Sequence, residues 1–169
     1  MDFIVIIFFL IFIINLIILS NTDNIKSALN KQSKSIKLVT GLPTNLPVIK
    51  LINNNQVFSF LVDTGSNISQ IDSDSFTRLQ PESFNGDDQV EIQGIGAVNS
   101  STTSCVAKFT DTAKNNFKLT LLINSNFAPV KSAIKKSSGI ELDGIIGTDF
   151  LIKYDYSIDF KDLDLKKVK

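Results

Sequence analysis

Residues 60–66 read FLVDTGS, an apolar run that leads straight into Asp63, Thr64, Gly65 and Ser66. An ionised carboxylate is costly to bury unless it is paired or hydrogen-bonded. The simplest reading therefore stops a strand before Asp63 and leaves the aspartate in a solvated turn, a setting in which Asp, Gly and Ser are common. The stretch upstream strengthens the strand. PVIKLI at 47–52, the turn-forming NNN at 53–55 and QVFSFLV at 56–62 read as a hairpin whose second arm ends at Asp63.

Downstream, NISQI continues with short apolar alternation, and Asp72 offers N-cap chemistry for a short helix running to about Gln80, before Pro81. Residues 89–98, QVEIQGIGAV, read as a strand broken by Gly94 and Gly96, with TTSCVAKFT at 102–110 as its return arm. FKLTLLI at 117–123 alternates as a further strand. DGIIGTDFLIKY at 143–154 gives a buried apolar step, a glycine turn and a helical turn, and YSIDFKDLDL at 156–165 closes with strand-like alternation. Short, closely spaced strands with one or two short helices indicate a small mostly-β barrel or folded sheet in one domain.

The first part of the chain is of another kind. Residues 3–19 form an apolar run interrupted only by Asn15, which as a helix would reach roughly 25 Å, near the hydrocarbon thickness of about 30 Å. Asp2 precedes the run where a secretory signal would carry basic residues, so residues 1–20 read as an N-terminal transmembrane anchor or uncleaved signal. Lys26, Lys31, Lys34 and Lys37 follow, and the positive-inside rule places that side in the cytoplasm. Residues 21–45, rich in Asn, Ser and Lys, read as a polar linker to a folded domain at 46–165.

Composition excludes several chemistries. The 17 basic and 17 acidic residues balance, which argues against a nucleic-acid surface. The chain has no histidine, so His-based triads, Cys–His dyads and the usual zinc sites are unavailable. Cys105 is the single cysteine; no intrachain disulfide can form, and a packed thiol is expected. Carboxylates, hydroxyls, lysines and backbone groups remain, and no metal or organic cofactor is expected.

FLVDTGS together with LDGIIGTDFL at 142–151 resembles the paired signatures of retropepsin-like aspartic proteases. In that family a hydrophobic strand ends in Asp-Thr-Gly-Ser or Ala, and a later hydrophobic–hydrophobic–Gly element packs beneath the catalytic loop. The resemblance spans most of residues 46–165 and includes the leading hairpin, the flap candidate QGIGA and the terminal SIDF. It implies a small closed barrel-like retropepsin fold and an aspartic endopeptidase. Asp63, Thr64, Gly65 and Ser66 would form the catalytic loop, Gly94, Ile95 and Gly96 the tip of a substrate-binding flap, and Ile145, Ile146 and Gly147 the support beneath the loop.

In such enzymes two aspartates share one proton and hold the attacking water between them. By the same resemblance Gly65 would turn its N–H toward the carboxylate, Thr64 would reach across to its counterpart, and the Ser66 hydroxyl would donate to Asp63. One Asp-Thr-Gly per chain implies a homodimer acting on polypeptide. Asp111, Thr112 and Ala113, the nearest second candidate, lack the glycine and the leading strand and read as a turn. Asp143 and Asp149 read as turn and helix-cap residues, Gly144 and Gly147 as close-packing positions, and Tyr154 and Tyr156 as core or rim. A retropepsin-fold binding or dimerisation module that does not use its loop is the alternative, and a membrane-anchored structural protein with an accidental Asp-Thr-Gly a further one.

Overall fold

Alternation of large apolar side chains along residues 56–62 sets the first core element. Phe58, Phe60 and Val62 are buried on one face while Val57, Ser59 and Leu61 take the other, as a period of two requires. A computed structural model of the chain describes residues 35–41, 44–85, 91–92, 99–100 and 103–168. The chain divides into a unit at 1–32 and a unit at 33–169, and all described residues belong to the second. The anchor expected at 1–20 lies outside the described residues. Among those described, no helix is long and apolar enough to cross a membrane.

In chain order the strands are β1 (Ser35–Lys37), β2 (Val39–Gly41), β3 (Thr44–Asn53), β4 (Gln56–Val62), β5 (Gln70–Asp72), β6 (Ser83–Asn85), β7 (Glu91–Ile92), β8 (Asn99–Ser100), β9 (Ser104–Thr110), β10 (Asn116–Asn124), β11 (Gly144–Ile146), β12 (Tyr156–Asp159) and β13 (Asp164–Lys167). Among the described residues three helices join them: α1 (Ser73–Phe76), α2 (Ala128–Ser138) and α3 (Thr148–Lys153). β3 and β4 form the expected hairpin, with Asn54 and Asn55 at φ 45° and 65° in its turn.

The main sheet runs β2-β3-β4-β11-β5-β10-β9-β6, and a further pairing of Ile52 on β3 with Thr110 on β9 closes six of these strands into a barrel. The barrel is filled by aromatic rings. Phe109 stands edge-on to Phe58 and Phe60 with centroids 5.9 and 5.7 Å away, a geometry that suits the ring quadrupoles. A smaller cluster of Val48, Phe127 and Leu142, with Ile134 of α2 against it, lies beside β11.

β11 is the topological singularity. It pairs in parallel with β4, Ile146 beside Val62, and antiparallel with β5, Gly144 beside Ile71. A three-residue segment from late in the chain thus wedges between two early strands.

Several expectations shift. The stretch assigned to a polar linker carries β1 and β2, because Ile36 and Leu38 are buried against the domain, and β1 pairs with β13, Ile36 beside Leu165. The helix from Asp72 is shorter than expected: Asp72 caps it, accepting the Ser75 N–H, but after Phe76 the chain continues through turns whose N–H groups reach back three residues, Leu79 to Phe76 among them. α2 was not anticipated; its hydrophobic residues are sparse and Pro129 sits in its first turn. The strand expected over 89–98 is described only at β7, which pairs with β8. Cys105 is fully buried, which pushes its thiol up to about 11, as a packed small apolar residue.

β12, β13 and β1 make a separate three-stranded sheet. Lys166 binds Asp159 at 2.6 Å and also Asp162. The Lys166 ammonium, then the N–H groups of Asp162 and Lys161, hold the Asp159 carboxyl down to about 2.

Two outcomes test these assignments. A Cβ on Gly144 would lie 2.1 Å from the Gln70 carbonyl oxygen, so Gly144→Ala must spread β11 from β5 and is expected to destabilise the chain by about 3 kcal/mol or more, read by urea unfolding. Lys166→Met should raise the Asp159 titration from about 2 toward about 3.9, read by NMR. Because the folded value is depressed, the stabilisation linked to Asp159 is present above its unfolded pKa and lost as pH falls toward about 2; the substitution should flatten stability across that acidic window.

Candidate active site

β4 delivers Asp63 to the edge of the core. Val62 is buried, Asp63 is half-buried, and Thr64 and Gly65 are exposed, so the carboxylate emerges where the strand leaves the barrel. The loop that follows is pinned at three points. Asp63 N–H donates to the Ile146 carbonyl at 2.9 Å, Ser66 N–H returns to the Asp63 carbonyl at 3.2 Å, and Thr148 N–H donates to the Ser66 carbonyl at 2.9 Å. Gly65 N–H donates to Asp63 Oδ1 at 2.9 Å, the contact expected of the glycine, and it fixes the rotation of the carboxylate.

Ile146 and Gly147 lie directly against the loop, and Ile145 precedes them on β11. Ile145 pairs beside Leu61 and Ile146 beside Val62. Gly147 allows the closest approach. A Cβ there would come within 2.8 Å of the Ser66 carbonyl oxygen and 2.9 Å of the Ile68 carbonyl carbon, so any side chain would push the loop away. Gly147 N–H donates to Ser69 Oγ at 3.0 Å, and that hydroxyl donates to Asp149 Oδ1 at 2.7 Å.

Ser66 requires a correction. Its hydroxyl was expected to donate to Asp63, but it is buried and donates to the Ile68 carbonyl at 2.8 Å. A serine hydroxyl has one proton to give, and the tight turn between Ser66 and Ile68 takes it. Asp149 is likewise no helix cap: Gly147 is the N-cap of α3, with no side-chain cap bond, and the Asp149 carboxylate accepts from Ser69. Asp143 is more than a turn residue, since its carboxylate accepts from Ser59 N–H, the Ser75 hydroxyl and Arg78. Nothing in its local sequence announces these partners, which come from β4, α1 and the turn after α1.

The turn reading of residues 111–113 holds, with the buried Asp111 accepting from the N–H and side-chain amide of Asn115. Tyr156 is core, stacked parallel to Phe150. Tyr154 is rim, its hydroxyl donating to the Lys118 carbonyl and accepting Lys118 N–H. Gly94, Ile95 and Gly96, the flap candidate, lie outside the described residues. No cluster of metal-ligating side chains occurs among the described residues.

A family model described as retroviral aspartyl protease matches residues 44–159. Among solved structures, the chain is similar to the EIAV protease complexed with the inhibitor HBY-793, at 21% identity over 68% of this chain and 93% of that one, with a TM-score of 0.44. It is also similar to the retroviral protease-like domain of Ddi1 from Leishmania major, at 14% identity over 75% of this chain and 98% of that one, with a TM-score of 0.45. No curated protein matches the chain.

The Ser69 hydroxyl joins the loop to Gly147 and Asp149 at once. Ser69→Ala would strand a buried N–H and a half-buried carboxylate oxygen, so it is expected to cost about 2 kcal/mol, measured as a lowered urea midpoint with unchanged slope.

Proposed function

The chain belongs to the retroviral aspartyl protease family, and from that membership we propose that it is a membrane-tethered aspartic endopeptidase whose active form is a homodimer. The observation that carries this reading is the placement of Asp63: a half-buried carboxylate at the mouth of a buried strand, oriented by Gly65 N–H and backed by Ile146.

In the proposed reaction the Asp63 carboxylates of two protomers face each other and share one proton, because like charges so close cannot both ionise. The pair titrates as a unit. One carboxylate takes a proton from the water held between them while the other donates to the scissile carbonyl oxygen, giving a tetrahedral intermediate with no covalent acyl-enzyme. Thr64, exposed at the loop tip, reaches toward the partner's loop. Gly94, Ile95 and Gly96 cover the bound peptide as a flap. Residues 3–19 hold the protein in the membrane as a single-pass anchor, with the protease domain on the cytoplasmic side by the positive-inside rule, and confinement to that surface raises the encounter rate of protomers.

Asp63→Asn nearly preserves shape and should leave folding intact while lowering kcat about 10²- to 10⁴-fold. Mixing supplies the sharper test. When equal amounts of Asp63→Asn and wild-type chain are unfolded together and refolded in detergent, wild-type homodimers are roughly a quarter of all dimers, so activity should fall to about half that of the same wild-type amount refolded alone. Activity strictly proportional to wild-type chain, with exchange verified by native mass spectrometry, would mean each chain works alone and the proposal is wrong.

A further inference from the structure

β11 has three residues and starts with a glycine, yet it must hold apart β4 and β5 while presenting the Ile146 carbonyl to Asp63 N–H. So short a strand forms few ladder bonds, and register is weakly specified where few contacts depend on it. The residue just upstream supplies the missing constraints. Asp143 N–H donates to the Ser59 carbonyl and the Asp143 carbonyl accepts Asp72 N–H, each at 2.8 Å. The backbone of this one residue thus touches both strands that β11 separates.

The side chain adds a second grip on the same neighbour. Asp143 Oδ2 accepts Ser59 N–H at 2.8 Å, so Ser59 is held at both its N–H and its carbonyl by a single residue. A slip of one position would break both bonds together. Oδ1 accepts the Ser75 hydroxyl at 2.8 Å and the Arg78 guanidinium. Arg78 in turn lies over the Phe58 ring, 4.7 Å from its centroid. The Ser75 hydroxyl is also 3.4 Å from Asp72 Oδ2, which accepts from Lys131 of α2 at 2.8 Å. The Asp143 side chain is only 14% exposed, so its oxygens depend on these donors in place of water.

We propose that Asp143 is a positioning residue for peptide hydrolysis: its carboxylate clamps Ser59, sets the register of β11 and, through the Ile146 carbonyl, fixes where Asp63 stands. It does not touch substrate. From Asp143 to Ile146 the extended chain covers about 10 Å, and the same rigid segment carries any displacement at one end to the other. Misplacing a reacting group by about 1 Å can cost 10²-fold in rate, so a partial loosening of this clamp is enough to matter. The kinetic part of the inference rests on the protease reading; the positional part does not.

Asp143→Asn is the test, with two readouts on the full chain in detergent. The amide keeps one acceptor oxygen, cannot serve Ser59 and Ser75 together, and sets an NH₂ against Arg78. Amide hydrogen exchange should be about tenfold faster at Asp63 with β9 and β10 unchanged. Against a peptide substrate kcat should fall about ten- to a hundredfold while KM stays within about threefold. Arg78→Met, which leaves the Ser59 and Ser75 bonds, should move both readouts the same way by less. Unchanged exchange at Asp63 in Asp143→Asn overturns the inference, and so does a raised KM with kcat intact. If Asp143→Asn loses protection throughout the barrel, Arg78→Met decides on the same readouts: faster exchange confined to Asp63 and its neighbours supports the clamp, and wild-type exchange overturns it. If the wild type cleaves no peptide, the protease reading fails while exchange at Asp63 still decides the positional claim.

Discussion

The hydrogen bond from Asp63 N–H to the Ile146 carbonyl is the constraint on which the rest of the site depends. It joins the end of an early strand to a wedge contributed much later in the chain, and closing so long a loop is entropically costly. The offset comes from burial. Phe58, Phe60 and Ile146 are all fully buried, and each such side chain contributes about 2–3 kcal/mol when removed from water. Apolar burial brings β4 and β11 together without specifying where each backbone atom lies. The directional bonds of Asp143, Ser69 and Gly147 do that.

Polar satisfaction follows the same division of labour. Six buried or half-buried polar side chains, Ser66, Ser69, Asp72, Ser75, Asp143 and Asp149, lie along the seams of the wedge, where strands of opposite direction meet. Asp72, Ser75 and Asp143 form one seam, joined to Lys131 and Arg78. Ser66, Ser69 and Asp149 form the other, at the far end of β11. A buried polar group left unpaired costs about 1–3 kcal/mol, so each seam tolerates little displacement. Clamped at both ends, the three-residue strand behaves as a rigid part.

How much of this was readable beforehand depends on whether the signal was local. The hairpin of β3 and β4, the cap at Asp72, the strand of residues 117–123 and the loop at Asp63 all carry period-two alternation or turn chemistry within a short window, and each is found in the structure. Ile145, Ile146 and Gly147 were expected beneath the loop by resemblance; Ile146 and Gly147 lie against it, and Ile145 pairs beside Leu61 of β4. What escaped was long-range. Ile36 and Leu38 sit in a stretch whose composition is that of a linker, and only pairing of β1 with β13 makes them core. α2 lacks a strong apolar stripe, so periodicity does not reveal it. The roles of Asp143 and Asp149 rest on partners tens of residues away, which no window of sequence contains.

The reassignment of Ser66 changes what completes the site. The hydroxyls of Ser66 and Ser69 turn inward, to the Ile68 carbonyl and to Asp149, and Thr148 reaches the Ser66 carbonyl. Each is consumed in holding the loop's shape. Among the described residues the Asp63 carboxylate accepts a single hydrogen bond, from Gly65 N–H on Oδ1. A carboxylate offers about four acceptor sites, so most of its capacity faces outward. Side chains that stiffen a loop and side chains that serve its carboxylate draw on the same few hydroxyls, and here stiffness has claimed them. The remaining partners of Asp63 must then come from beyond its own loop, as water, substrate or the second carboxylate of the proposed dimer. One Asp-Thr-Gly per chain and an inward-turned Ser66 fit together: a loop held from beneath, with the Asp63 carboxylate left for what approaches from outside.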